Sequence, residues 1–156
     1  MAAMAALAVV LGAIAWRDAT RFEIGGGEVL ALGALGLWWQ GAGAWLCVLA
    51  GTALGAGAGL ALMGTARARG RRRPLLGGDV MLLGACGAVL GPLGLAVSWL
   101  LNVPAGLGYR WWLARRRGRR WTDGYAPFAP AYCAVVALMV AWTEWTEGDW
   151  SAGRGQ

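Results

Sequence analysis

Six apolar runs follow one another along this chain, at about 2–16, 26–39, 44–63, 75–90, 93–109 and 126–142, and the charges collect between them. A helix needs about 20 residues to cross a hydrocarbon core of ~30 Å, and somewhat fewer at a thin or polar-lined place. Hydrophobic residues make up 58% of the sequence and charged residues 14%. Soluble domains run nearer ~45–50% and ~25%. A disordered chain is excluded by so much apolar residue, and a soluble globule would lack the surface charge to stay dispersed. The sequence therefore predicts an all-α, polytopic membrane protein of about six transmembrane helices, forming one domain over residues 1–156.

Arginine placement orients those spans. With six crossings, Arg17 and Arg21, then Arg67, Arg69 and Arg71 to Arg73, then Arg110, Arg115 to Arg117, Arg119 and Arg120 all fall on one side. That side holds thirteen of the 14 basic residues, all of them arginine. The opposite side carries the uncharged connections at Gly41-Ala42-Gly43 and Gly91-Pro92, and the tail with Glu144, Glu147, Asp149 and Arg154. Cytoplasmic loops hold the basic excess, which puts both termini outside and the arginines inside. Joining the fourth and fifth runs into one span would export the last arginine cluster. Residues 1–16 have no basic stretch before their apolar run, so a cleaved secretion signal is not expected.

The smaller signals agree with a membrane location. Trp16, Trp38, Trp39, Trp45, Trp111, Trp112, Trp121, Trp142 and Trp145 fall near helix ends, where indole rings favour the interface. Gly51, Gly55 and Gly59 repeat every fourth residue, a stripe that lets two helix backbones approach closely. Cys47, Cys86 and Cys133 sit singly in apolar surroundings and are expected to act as small buried hydrophobes. There is no His, the commonest general base and metal ligand. The spacing implies no metal and no cofactor. The arginines lie in separate loops instead of on one accessible face, so nucleic acid is not the expected partner.

Eight acidic residues remain to be placed. Glu144, Glu147 and Asp149 belong to the tail, and Asp123-Gly124 reads as a turn. Glu28 opens the second span, where a helix N-terminus favours negative charge. Thr20-Arg21-Phe22-Glu23 has the spacing of a capping box. Asp18 follows the first span, and Asp79 interrupts Leu75-Leu76-Gly77-Gly78-Asp79-Val80-Met81-Leu82-Leu83. The six-span parity places both at the cytoplasmic ends of helices, a depth at which an ionisable side chain usually marks a functional site. Local roles also fit: a pair with Arg17 or Arg21 for Asp18, and an N-cap for Asp79. Two carboxylates that meet cannot both ionise cheaply, so one keeps its proton. One can then take a proton from water while the other donates to a peptide carbonyl. Gly77 and Gly78, lacking side chains, let a substrate chain approach Asp79.

At these residues the sequence resembles the type IV prepilin peptidases, membrane aspartic proteases of the GxGD kind. The first family aspartate begins a segment like D-x-R-x-x-x-I-P-N, matched by Asp18-Ala19-Thr20-Arg21-Phe22-Glu23-Ile24. The second lies in a G-x-G-D-V-K-L-L-like segment, matched by Leu76-Gly77-Gly78-Asp79-Val80-Met81-Leu82-Leu83. A small-residue run ending in Leu-Gly follows at 84–91, and a P-F-x-P-like element stands at Pro127-Phe128-Ala129-Pro130. The sequence departs at Gly25-Gly26, where the family has Pro-Asn, at Leu76 for a glycine, and at Met81 for a lysine.

The resemblance implies an aspartic endopeptidase in the cytoplasmic (inner) membrane, of the short form without a methyltransferase domain. It is similar to the peptidases of Flp/Tad-type pili and of archaeal preflagellins. The implied catalytic residues are Asp18 and Asp79, with Gly77, Gly78 and Arg21 shaping the site. The implied substrate is the basic leader of a prepilin-like protein. Anionic lipid head groups, not the leader, are the expected partners of the arginine-rich loops. Two other readings stay open. One is a catalytically inactive relative that binds pilins as an assembly scaffold. The other is a small transporter relaying protons or ions through Asp18 and Asp79, with which an interruption at Asn102-Val103-Pro104 is compatible.

Overall fold

The computed structural model describes residues 2–41, 44–68, 77–116 and 127–152. They form five helices: α1 (Ala2–Arg21), α2 (Gly26–Gln40), α3 (Trp45–Ala68), α4 (Gly77–Arg116) and α5 (Ala129–Ala152). Three carry stretches long and apolar enough to cross a membrane: Ala3–Arg21, Trp45–Thr65 and Gly78–Arg116. In α5 the apolar part, Ala129–Trp145, is shorter, and α2 has 15 residues.

Six separate helices are not what the described residues form. The fourth and fifth runs are joined in α4, whose 40 residues bend at one point, Gly91, with φ 66° and ψ 177°. Only glycine adopts that backbone region readily, so one residue makes the bend and no loop separates the two runs. Pro92 follows it and has no N–H to continue the helical ladder. The break orphans carbonyls before it, and Gln40 Nε2 at the end of α2 donates to Val89 O at 2.7 Å. At Asn102-Val103-Pro104 the helix runs on without interruption.

The core lies between α1, α2, α4 and α5. Leu7, Leu11 and Ile14 from α1 meet Val29 and Leu32 from α2, Leu82, Leu83, Cys86 and Val89 from α4, and Tyr132, Cys133 and Val136 from α5. Cys86 and Cys133 are thus buried in the apolar core, and Cys47 is half-buried. The glycine stripe of α3 faces α4: a methyl group on Gly51 would overlap Gly87 O, and one on Gly55 would overlap Leu83 O. A methyl on Gly59 would lie 3.1 Å from Val80 Cα. The pairings 51–87, 55–83 and 59–80 make α3 and the first part of α4 antiparallel.

That register gives the bundle two distinct ends. At one end stand the close of α1, the start of α2, Gly78 of α4 and the start of α5. At the other stand Gln40, Cys47 and Gly91, with Cys47 Sγ 2.7 Å from where a Gly91 methyl would lie. The outer surface is apolar: Leu93, Leu100, Leu138 and Val9 are each at least 70% exposed. Trp16, Trp38, Trp45, Trp111, Trp112, Trp142 and Trp145 are exposed as well. Arg115 stacks over Trp111 and Arg116 over Trp112, 4.3 and 4.8 Å from the ring centres. Each pair is one helical turn apart, with the arginine beyond the ring toward the helix end.

Candidate active site

Both aspartates close an apolar stripe. On α1, Leu7, Leu11, Ile14 and Asp18 recur at helical spacing and are all buried, Asp18 to 5%. On α4, Asp79 precedes Leu82, Leu83, Cys86 and Val89 on the buried face and is itself 4% exposed. Each carboxylate is held where the fold otherwise places a core hydrophobe. Asp18 lies inside the last turn of α1, which continues to Arg21, whereas the sequence placed it after the helix. Asp79 lies in the first turn of α4, two residues inside Gly77, not at a cap position before it.

The three segments that carry the sequence resemblance come together at this end. Asp18 Oδ2 accepts a hydrogen bond from the backbone N–H of Ala129 at 2.8 Å. That group is the first N–H of α5 and lies in Pro127-Phe128-Ala129-Pro130; a helix start has N–H groups with no partner of its own. Ile24 packs on Gly78, with Ile24 Cβ 3.0 Å from where a Gly78 methyl would lie. A segment of seven residues, 18–24, thus touches the start of α5 through Asp18 and the Gly78-Asp79 turn of α4 through Ile24.

Beside Gly78 lies an open cavity of about 250 Å³, lined by Arg17, Phe22, Glu23, Ile24, Gly78 and Asp79. Phe22 forms its wall from a left-handed backbone conformation, φ 55°, uncommon for any residue but glycine and asparagine. Its N–H donates to Asp18 O at 3.0 Å and closes α1. Arg17 Nη1 donates to Glu28 Oε1 at 2.8 Å, tying the end of α1 to the first turn of α2. Gly25 makes room for that pair, because a methyl there would overlap the Glu28 carboxylate and lie 2.6 Å from Arg17 Nη1.

Several expected roles change on this geometry. Asp18 does not line the cavity; its Oδ2 turns toward α5 and accepts from the first N–H of that helix. Arg21 is exposed at the end of α1 and lies outside the cavity lining, while Arg17, expected among the orienting arginines and as a local partner for Asp18, lines it. The capping box does not form: Thr20 is helical, and its hydroxyl donates to Trp16 O at 2.8 Å. Met81 is half exposed on the outer face of α4. Leu76, Asp123 and Arg69, Arg71 to Arg73, Arg117, Arg119 and Arg120 lie outside the described residues, as does Trp121; Gly78 lines the cavity.

The roles of Arg17, Glu28 and Phe22 had one sequence signal among them. Glu28 stood at a helix start, but nothing in a separation of eleven residues announces an ion pair across a turn. Chemically, the site offers a buried carboxylate lining an open cavity, a second buried carboxylate held at the start of α5, and a guanidinium paired with Glu28 in the same cavity wall as Glu23. Set against family models, curated proteins and solved structures, the chain matches none of them.

Proposed function

We propose that this protein is an aspartic endopeptidase of the inner membrane that removes the short basic leader from prepilin-like precursors at the cytoplasmic face. One observation carries the reading: segment 18–24 joins the Gly78-Asp79 turn to the start of α5, bringing the resemblance-bearing elements to one end of the bundle. Elements spread over more than 100 residues converge on the end of the bundle where both carboxylates are buried. In this mechanism one aspartate takes a proton from a water whose oxygen attacks the scissile carbonyl carbon. The other donates a proton to the carbonyl oxygen, and the C–N bond breaks as the amine leaves protonated. No covalent enzyme intermediate forms.

The proposed topology has six crossings, with residues 77–90 and 92–116 passing separately. A straight helix of 40 residues would measure about 60 Å, twice the hydrocarbon core. Tyr132 supports a reversal at Gly91: its hydroxyl lies 3.3 Å from Ser98 Oγ, seven residues past the bend, and it shares the core with Cys86, five residues before it. Arg17, Arg21, Arg67, Arg115 and Arg116 then face the cytoplasm and anionic lipid head groups, and both termini face outward.

A second reading, a pilin-binding scaffold without activity, draws on the orientation of Asp18, whose carboxylate is turned to Ala129 and away from the cavity. Purified protein incubated in detergent with a peptide bearing a short basic leader and an apolar segment separates the two. The peptidase reading predicts a product cut at the end of the leader, absent with Asp18→Asn and with Asp79→Asn. Binding without any cut by the wild-type chain establishes the scaffold.

A further inference from the structure

Among the described residues, Arg17 is the one cation lining the cavity that Asp79 also lines. Its position is fixed by construction. Glu28 binds one N–H of Nη1, and Gly25 leaves the space in which the pair forms. A guanidinium carries five N–H donors in a rigid plane, so one bond to Glu28 leaves others to give. The Arg17 side chain keeps 39% of its exposure and so can still be reached. Because Glu28 pairs with it and Glu23 also lines the cavity, the charge of Arg17 is already balanced, and it suits a neutral acceptor better than a further carboxylate. Phe22 and Ile24 give the cavity apolar wall, Glu23 stands between them in sequence, and Gly78 and Asp79 of α4 complete the lining. A guanidinium with donors to spare, lining the same open cavity as a buried carboxylate, fits an extended peptide backbone, whose carbonyls accept and whose reacting bond would lie nearby.

We propose that Arg17, held in place by Glu28, binds a backbone carbonyl of the substrate chain next to the scissile bond, an inference that rests on the peptidase reading of this site. Arg17 is then a substrate-positioning residue, and Glu28 acts through it. The function assigned by resemblance to Arg21 passes to the residue four positions earlier, one helical turn away on the side that faces the cavity.

The test separates positioning from a purely structural tether between α1 and α2. Binding of the leader-bearing peptide is measured in the Asp79→Asn background, where no cleavage intervenes, and KM and kcat are measured with Asp79 intact. Arg17→Gln should weaken binding and raise KM by about tenfold or more, as expected for loss of a charge-assisted hydrogen bond. Arg17→Lys keeps the pair with Glu28 but loses the planar fork, and should recover only part of the binding. The double exchange Arg17→Glu with Glu28→Arg restores an ion pair while putting a carboxylate in the cavity, and should bind no better than Arg17→Gln. Arg67→Gln, at the same end but away from the cavity, controls for general loss of positive charge.

Recovery of wild-type binding and KM by the double exchange overturns the inference, because the pair then serves only to hold two helices together. So does unchanged binding by Arg17→Gln in a chain that still cleaves, and in that case the peptidase reading stands. A wild-type chain that cleaves no precursor removes the reading, and the inference falls with it.

Discussion

Asp18 occupies the final turn of α1, where the helix's own C-terminal carbonyls disfavour a carboxylate, and it is buried there. What offsets this is Ala129 N–H at the start of α5, which supplies both a hydrogen bond and the favourable end of a second helix. The hydrogen bond to Ala129 and the proton transfer proposed for this residue can be separated by substitution. Asp18→Asn keeps an oxygen for Ala129 and should insert and fold normally while losing cleavage. Asp18→Ala leaves the buried N–H without an acceptor and should also lose about 1–3 kcal/mol of stability, measurable as a lower midpoint of thermal unfolding in detergent. Equal stability of the two variants would mean that the hydrogen bond contributes nothing to the fold. Asp18 and Asp79 were legible as candidates because an acidic side chain stands out in an apolar run. Their stripes, 7-11-14-18 on α1 and 79-82-86-89 on α4, were also there to be read. Arg17 was not legible, since its role depends on Glu28 reaching it across the turn and on Gly25 leaving the space.

Among the elements, α3 and α4 are joined by absence of side chains. Gly51, Gly55 and Gly87 bring backbone against backbone, where neither helix can retreat without losing the contact. Gly55→Leu should therefore destabilise by about 1–3 kcal/mol or more, as overpacking does, and Gly57→Leu, which meets nothing within 4 Å, should be close to neutral. Unfolding of the two variants in mixed micelles compares them directly. The bend at Gly91 gives a second pair. Gly91→Ala forces a side chain into a glycine-only conformation and against Cys47 Sγ, and Gln40→Leu removes the donor to Val89 O. Each should cost at least about 1 kcal/mol, more for Gly91→Ala, where backbone strain and steric overlap add. The glycine stripe was readable from its period of four. The capping box at Thr20 to Glu23 misled, because the same four residues also suit a helix that simply continues to Arg21 and stops at a left-handed Phe22. Spacing alone carries no information on which of those two ends the chain adopts.

For the whole molecule, the apolar runs gave helices with ends within a few residues at α2, while α1 and α3 run about five residues farther than their apolar stretches. The excess carries charge: Arg17 to Arg21 on α1 hold three charged residues, and Gly64 to Ala68 on α3 hold Arg67, which ends the apolar signal before the helix ends. The number of crossings turns on α4. Single cysteines in a background without Cys47, Cys86 and Cys133 report its course by labelling with a membrane-impermeant thiol reagent. A reversal at Gly91 predicts that Arg67→Cys and Arg116→Cys react only from the cytoplasmic side, and Trp45→Cys only from outside. Labelling of Arg116→Cys from outside would show that α4 crosses once and would end the six-crossing topology.

The central claim is that Asp18 and Asp79 cut a leader peptide. Its most direct measurement is co-expression of this protein with small proteins that carry a short basic leader and one apolar helix, followed by their mobility on a gel. The account predicts a shorter product with the wild-type chain, and full-length precursor with Asp18→Asn and with Asp79→Asn, all three chains being equally inserted in the membrane. Processing that persists in either variant, or no processing of any such precursor by a correctly inserted wild-type chain, would contradict it.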